Sequence, residues 1–121
     1  MRIELPLPPP ENERLIYARN IGPRGQFILS QKYRKYKTHT QWLFLKFKTQ
    51  QNIQMLTPNF ENQLLMKISV YLPDKRRDAH GCLKCLLDVM QGSIYDNDKW
   101  VVPQFNAFQV DAKNPRVEVE F

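Results

Sequence analysis

The stretch from Leu64 to Val102, LLMKISVYLPDKRRDAHGCLKCLLDVMQGSIYDNDKWVV, decides most of what can be read about this fold. Leu64 to Leu72 reads as a strand, and Pro73 with Asp74 stops it. After Asp78 the spacing predicts a helix to about Met90, because Cys82, Leu83, Leu86, Leu87 and Met90 form one apolar face. Gly92 suits the C-terminal cap of that helix, where a left-handed backbone is needed. Asp96 and Asp98 then belong to a turn that enters a further strand, Trp100 to Val110.

Downstream, Lys113-Asn114-Pro115 is a turn signal before a last strand, Arg116 to Phe121, so the two strands are expected as a terminal pair. Upstream, Arg2 to Leu7 reads as a short strand with Ile3, Leu5 and Leu7 on one face, ended by Pro8-Pro9-Pro10. Leu15 to Asn20 and Gln26 to Leu29 are expected to pair across the turn Ile21-Gly22-Pro23-Arg24-Gly25. Ser30 can cap a second helix that turns Tyr33, Tyr36, Leu43, Phe44 and Phe47 inward and leaves Lys32, Lys35, His39 and Lys46 largely outside. Leu43, Leu45 and Phe47 also alternate, so the end of this segment could instead be extended. Thr49 to Asn62 is polar and reads as a loop. The expected class is α+β: one small domain over residues 1–121, with a mixed β-sheet and two main helices.

Charge is distributed unevenly. Residues 14–60 hold nine Lys or Arg and no Asp or Glu, while the rest of the chain holds nine basic and twelve acidic residues. A cationic region of this length points to a polyanionic partner, with the carboxylates gathered elsewhere. A solvated basic face is the plainer reading of any short charge run. No apolar run approaches the ~20 residues that span a bilayer, and Met1-Arg2-Ile3-Glu4-Leu5-Pro6 lacks the apolar core of a signal peptide. A cytoplasmic protein without membrane contact is therefore expected.

Cys82 and Cys85 share one apolar segment and read as buried thiols. Their CxxC spacing lacks the strand-helix-strand setting of a redox pair. A zinc site with His80 is disfavoured, because on a helix His80 lies about 200° around the axis from Cys82.

Asp78 stands at the helix start with His80 one residue inside it, and Lys84 follows His80 by four residues on the same face. Asp96 and Asp98 come from the turn before the next strand. Converging carboxylates beside cations suit phosphodiester hydrolysis: oxygen ligands hold magnesium or manganese, the metal activates water, and cations offset phosphate charge. Each residue also has a plainer role. Asp78 can be an N-cap, Asp88 can pair with Lys84 at i,i+4, and Asp96 and Asp98 can be turn residues.

The run Leu-Pro-Asp-Lys-Arg-Arg-Asp-x-His-x-x-x-Lys-x-x-x-Asp from Leu72, followed by Asp96-Asn97-Asp98 and Val101, resembles the RusA family of Holliday junction resolvases. The opening Leu5-Pro6-Leu7-Pro8-Pro9 with Asn12 is also similar to that family's start. The resemblance implies a homodimer that binds four-way DNA junctions and makes paired nicks with magnesium or manganese. By position it places Asp78, His80 and Asp98 as metal ligands, with Asp78, Lys84 and Asp98 catalytic. Lys32, Arg34, Lys35 and Lys37, with Lys75, Arg76 and Arg77, are the residues expected to track phosphates. His80 departs from the family's usual aspartate and offers a softer nitrogen ligand that suits manganese better than magnesium. Two other readings stay open: a non-catalytic branched-DNA-binding protein with a degenerate metal site, and a zinc-binding module.

Overall fold

A computed structural model describes residues 1–19, 22 and 25–121. Its elements in chain order are β1 (Arg2–Leu5), β2 (Leu15–Ala18), β3 (Gln26–Leu29), α1 (Gln31–Gln51), β4 (Leu64–Leu72), α2 (Leu83–Met90), β5 (Val101–Val110) and β6 (Arg116–Glu120). Short 3₁₀ turns at Glu11–Glu13, His80–Cys82 and Asp98–Trp100 precede β2, α2 and β5. The α+β class and the mixed sheet are as the sequence implied.

Four strands form one sheet in the order β1-β6-β4-β5, and β2 pairs with β3 in a separate ribbon. β4 runs antiparallel to β6 and parallel to β5. This corrects the expected terminal pair: β5 and β6 are consecutive in sequence, yet β4 lies between them. α2 supplies the physical reason. A strand followed by a helix that recrosses the sheet returns parallel to where it began, so β5 joins β4 in the same direction.

β4 alternates cleanly. Met66, Ile68, Val70 and Leu72 are buried, whereas Leu65 and Lys67 face solvent, so one side of the sheet carries the core. Ile3, Leu5, Val117 and Val119 continue that inner face across β1 and β6. Tyr33, Tyr36, Phe44 and Phe47 of α1 and Cys85, Leu86, Val89 and Met90 of α2 pack against it.

Several boundaries moved for local reasons. β1 stops at Leu5 because Pro6 has no backbone N–H to continue the ladder. α1 is helical through Gln51, past the expected loop start at Thr49. Phe44 is fully buried while Leu45 is 57% exposed, which rules against an extended end. Ser30 does cap α1, its hydroxyl accepting from Tyr33 N at 3.1 Å. Of the expected turn between β2 and β3, Ile21, Pro23 and Arg24, together with Asn20, lie outside the described residues. Gly25 has φ +70, and a Cβ there would stand 2.6 Å from the Tyr17 hydroxyl, so both conformation and space require glycine.

Candidate active site and nucleic-acid interface

α2 fixes the positions of both acidic candidates. Asp78 precedes it, and its Oδ1 accepts from Gly81 N at 2.7 Å, closing the turn that leads into the helix. Asp98 follows it, and its backbone N donates to Oε1 of Gln91, the residue that ends the helix, at 3.0 Å. The two carboxylates therefore stand at opposite ends of one helix. His80 to Met90 is eleven residues, or about 16 Å at ~1.5 Å per residue.

His80 is exposed, with its ring edge-on to Phe105 at 5.4 Å between centroids. Phe105 lies four residues beyond Val101 in β5, about 13 Å at ~3.3 Å per residue, and Asp98 lies farther back still. Among the described residues no three His, Cys, Asp or Glu come close enough together to hold a metal ion. Within one chain, then, Asp78, His80 and Asp98 do not form a shared ligand set.

Lys84 and Asp88 make the expected i,i+4 pair, Nζ to Oδ1 at 3.1 Å, and Asp88 Oδ2 also receives Arg14 at 3.2 Å. Asp96 is exposed in the turn, where its backbone N donates to Leu56 O at 3.1 Å. Arg76 clamps Asp74 at 2.7 Å, and those hydrogen bonds hold the Asp74 carboxyl below the usual carboxylate range. Arg77 turns inward and donates to Pro8 O at 2.7 Å and to Cys82 Sγ at 3.4 Å. Lys75 is exposed. Both cysteines are buried free thiols; burial raises the pKa of Cys82 and pushes that of Cys85 up to about 11.

A cleft of about 410 Å³ opens beside Asp78, walled by Glu11, Asn12, Glu13, Arg76, Arg77 and Gly81. Glu11 and Glu13 were not singled out from the sequence. The signal available was their position on either side of Asn12, in the segment that carries part of the family resemblance.

A larger groove, about 540 Å³, lies instead on the outer face of α1, lined by Gln31, Arg34, Lys35, Thr38, His39 and Trp42. It contains neither Asp78 nor Asp98. Shape alone makes it the larger feature, but its basic and aromatic lining suits a nucleic-acid strand better than bond-breaking chemistry. Trp42 is 71% exposed there, a residue the sequence reading passed over because it counted only cations. Lys32 and Lys37 flank this face on opposite sides, about 140° apart around the axis with the buried face between them. Lys32 also pairs with Glu13 at 3.4 Å.

A two-helix α+β domain with a basic helical face has the make-up of a protein that meets a polyanion. A family model described as endodeoxyribonuclease RusA matches residues 6–121, and the chain belongs to that family of Holliday junction endonucleases. No curated protein matches the chain.

Proposed function

We propose that this chain is a structure-selective endodeoxyribonuclease that resolves four-way DNA junctions by paired nicks, acting as a homodimer with magnesium or manganese. The observation that carries the reading is the family match over residues 6–121. The outer face of α1 supports it: Arg34, Lys35, His39 and Trp42 share one groove on a helix that has no carboxylate. Phosphate contacts of this kind position a protein without reading bases, so selectivity would follow junction shape. Asp78 and Asp98 are the proposed acidic centres and Lys84 the proposed basic one.

The test is purified protein incubated with a synthetic four-way junction and with a linear duplex, each with manganese or magnesium. Paired nicks confined to the junction are expected, with manganese the better ion if His80 is a ligand. His80→Ala should then weaken the metal dependence, read as nicking rate against metal concentration. Tight junction binding with no nicks in either metal would favour a non-catalytic branched-DNA-binding protein, a reading supported by the separation of the acidic residues within one chain.

A further inference from the structure

The outer face of α1 carries a tryptophan that the core does not use. The buried stripe of this helix is Tyr33, Tyr36, Thr40, Phe44 and Phe47. At ~100° per residue Trp42 lies about 160° around the axis from the middle of that stripe. Its side chain therefore projects straight outward, and Leu45, one turn on, is 57% exposed beside it. Trp42 lines the groove of about 540 Å³ on one side and, with Leu45, a smaller one of about 160 Å³. The ring thus stands between two hollows, and its placement adds nothing to the packing of the fold.

Cations bracket the ring along the helix. Arg34 and Lys35 precede Trp42 by about two turns, His39 by one, and Lys46 follows by one; all four are exposed. From Arg34 to Lys46 the row covers about 18 Å at ~1.5 Å per residue. Lys32, Lys84 and Arg14 are each met by a carboxylate, but among the described residues none pairs with Arg34, Lys35 or Lys46. The Thr38 hydroxyl turns back to donate to Arg34 O at 3.0 Å. What this face holds out is one flat ring and a row of uncompensated positive charge.

The two parts ask for different things from a nucleic acid. Cations need only phosphates, which every form of DNA supplies. A ring needs the face of a base, and in a duplex those faces are covered by neighbouring bases, leaving only edges in the grooves. We propose, resting on the nucleic-acid reading above, that the outer face of α1 is a binding site for an unpaired DNA strand: a base stacks on Trp42 while Arg34, Lys35 and Lys46 hold phosphates to either side. Bases that open at a branch point supply such a strand. The site works without metal and takes no part in bond breaking.

An abasic strand decides it. The full chain, in EDTA, is titrated against labelled oligo-dT of ~20 nucleotides, an abasic strand of the same phosphate count, and a linear duplex, with binding read by fluorescence anisotropy. The wild type should bind oligo-dT about tenfold tighter than the abasic strand. Trp42→Ala should remove that difference and leave abasic and duplex affinities unchanged, while Trp42→Phe keeps most of it. Replacing Arg34, Lys35 and Lys46 together by Gln should weaken both single strands and flatten the log–log salt slope by roughly 2, at ~0.7 per phosphate contact. Because Trp42 is a surface residue, circular dichroism should show Trp42→Ala folded as the wild type. Equal wild-type affinities for oligo-dT and the abasic strand, or a Trp42→Ala protein that still separates them, overturns the proposal. So does self-association in sedimentation that Trp42→Ala abolishes with oligo-dT binding intact, which gives the face to a second copy. A protein that nicks no junction in either metal sinks the nuclease reading alone, since every measurement here is made without metal.

Discussion

At one edge of the sheet β1 offers four residues, Arg2–Leu5; at the other β5 offers ten, Val101–Val110. Arg2 pairs across to Glu118 at 2.7 Å and Glu4 to Arg116 at 3.1 Å, and the chain leaves β1 through Pro6. Short length, charge and proline are the features that stop a strand from recruiting another. β5 has Pro103 near its start and otherwise none of them, and its Val102, Phe108 and Val110 are about half exposed where Ile3 and Leu5 of β1 are buried. One edge is closed against company and the other is left open to it. The difference teaches that, of the two sheet edges, only β5 leaves large apolar side chains open: Val102, Phe108 and Val110 are exposed where Ile3 and Leu5 of β1 are buried.

The largest test of that contrast is a charge on each edge. Phe108→Glu puts a carboxylate into the apolar surface that β5 leaves open; if the proposed homodimer pairs through this edge, dimerisation should weaken by ~100-fold or more, about 2.7 kcal/mol. Glu4→Gln on β1 should leave the dimer constant unchanged. Sedimentation of both variants checks this, with circular dichroism to confirm the fold; a Phe108→Glu protein as dimeric as the wild type would end the distinction between the edges.

A second comparison separates stability from assembly. Leu5 of β1 is 1% exposed, so Leu5→Ala should cost about 2–5 kcal/mol in urea unfolding. Val110→Ala, measured in the Phe108→Glu background to remove assembly, should cost no more than ~0.5 kcal/mol. A large loss at Val110 in that monomer would mean its surface is covered within the chain.

How far the sequence foretold this depends on which forces set each feature. β4 and the body of α2 were legible because their burial follows local periods of two and 3.6, and Ser30 announced α1 by the chemistry of its hydroxyl, but the expected start of α2 just after Asp78 is a 3₁₀ turn over His80–Cys82 and the α-helix begins only at Leu83. The end of α1 was ambiguous because Leu43, Leu45 and Phe47 satisfy both periods; only the packing of Phe44 into the core separates them. The partners of β5 and β6 were not legible, since a five-residue link between them fits a hairpin as well as it fits strands on either side of β4. The candidate site shared that fate. Asp78 and Asp98 could be chosen by residue type and position, but their separation depends on the direction of β5, a property of the whole sheet.

The smallest expected effect concerns pH, where the two edges should again differ. Burial pushes the Glu118 carboxyl up, but hydrogen bonds from Arg2 and Arg116 outweigh it and leave its pKa below the ordinary value. The hydrogen bond from Arg116 likewise lowers Asp111. Arg116 is the centre of this group: its guanidinium also meets Glu4 at 3.1 Å and lies 3.9 Å over the Tyr71 ring. A carboxyl with a depressed folded pKa stabilises the fold above its unfolded value, ~3.9 for Asp and ~4.3 for Glu, and that support is lost as pH falls through the folded value. The urea midpoint should therefore be level on this account from pH 8 to 5 and drop below about pH 4, with a smaller drop in Arg116→Met. β5 carries no titratable side chain, so the dimer constant of the proposed homodimer, measured without metal and with His80→Gln to remove the imidazole beside Phe105, should stay flat from pH 8 to 5. Equal acid losses in the wild type and Arg116→Met would move the sensitive group away from β6, with the Asp74–Arg76 clamp as the next carboxylate to test.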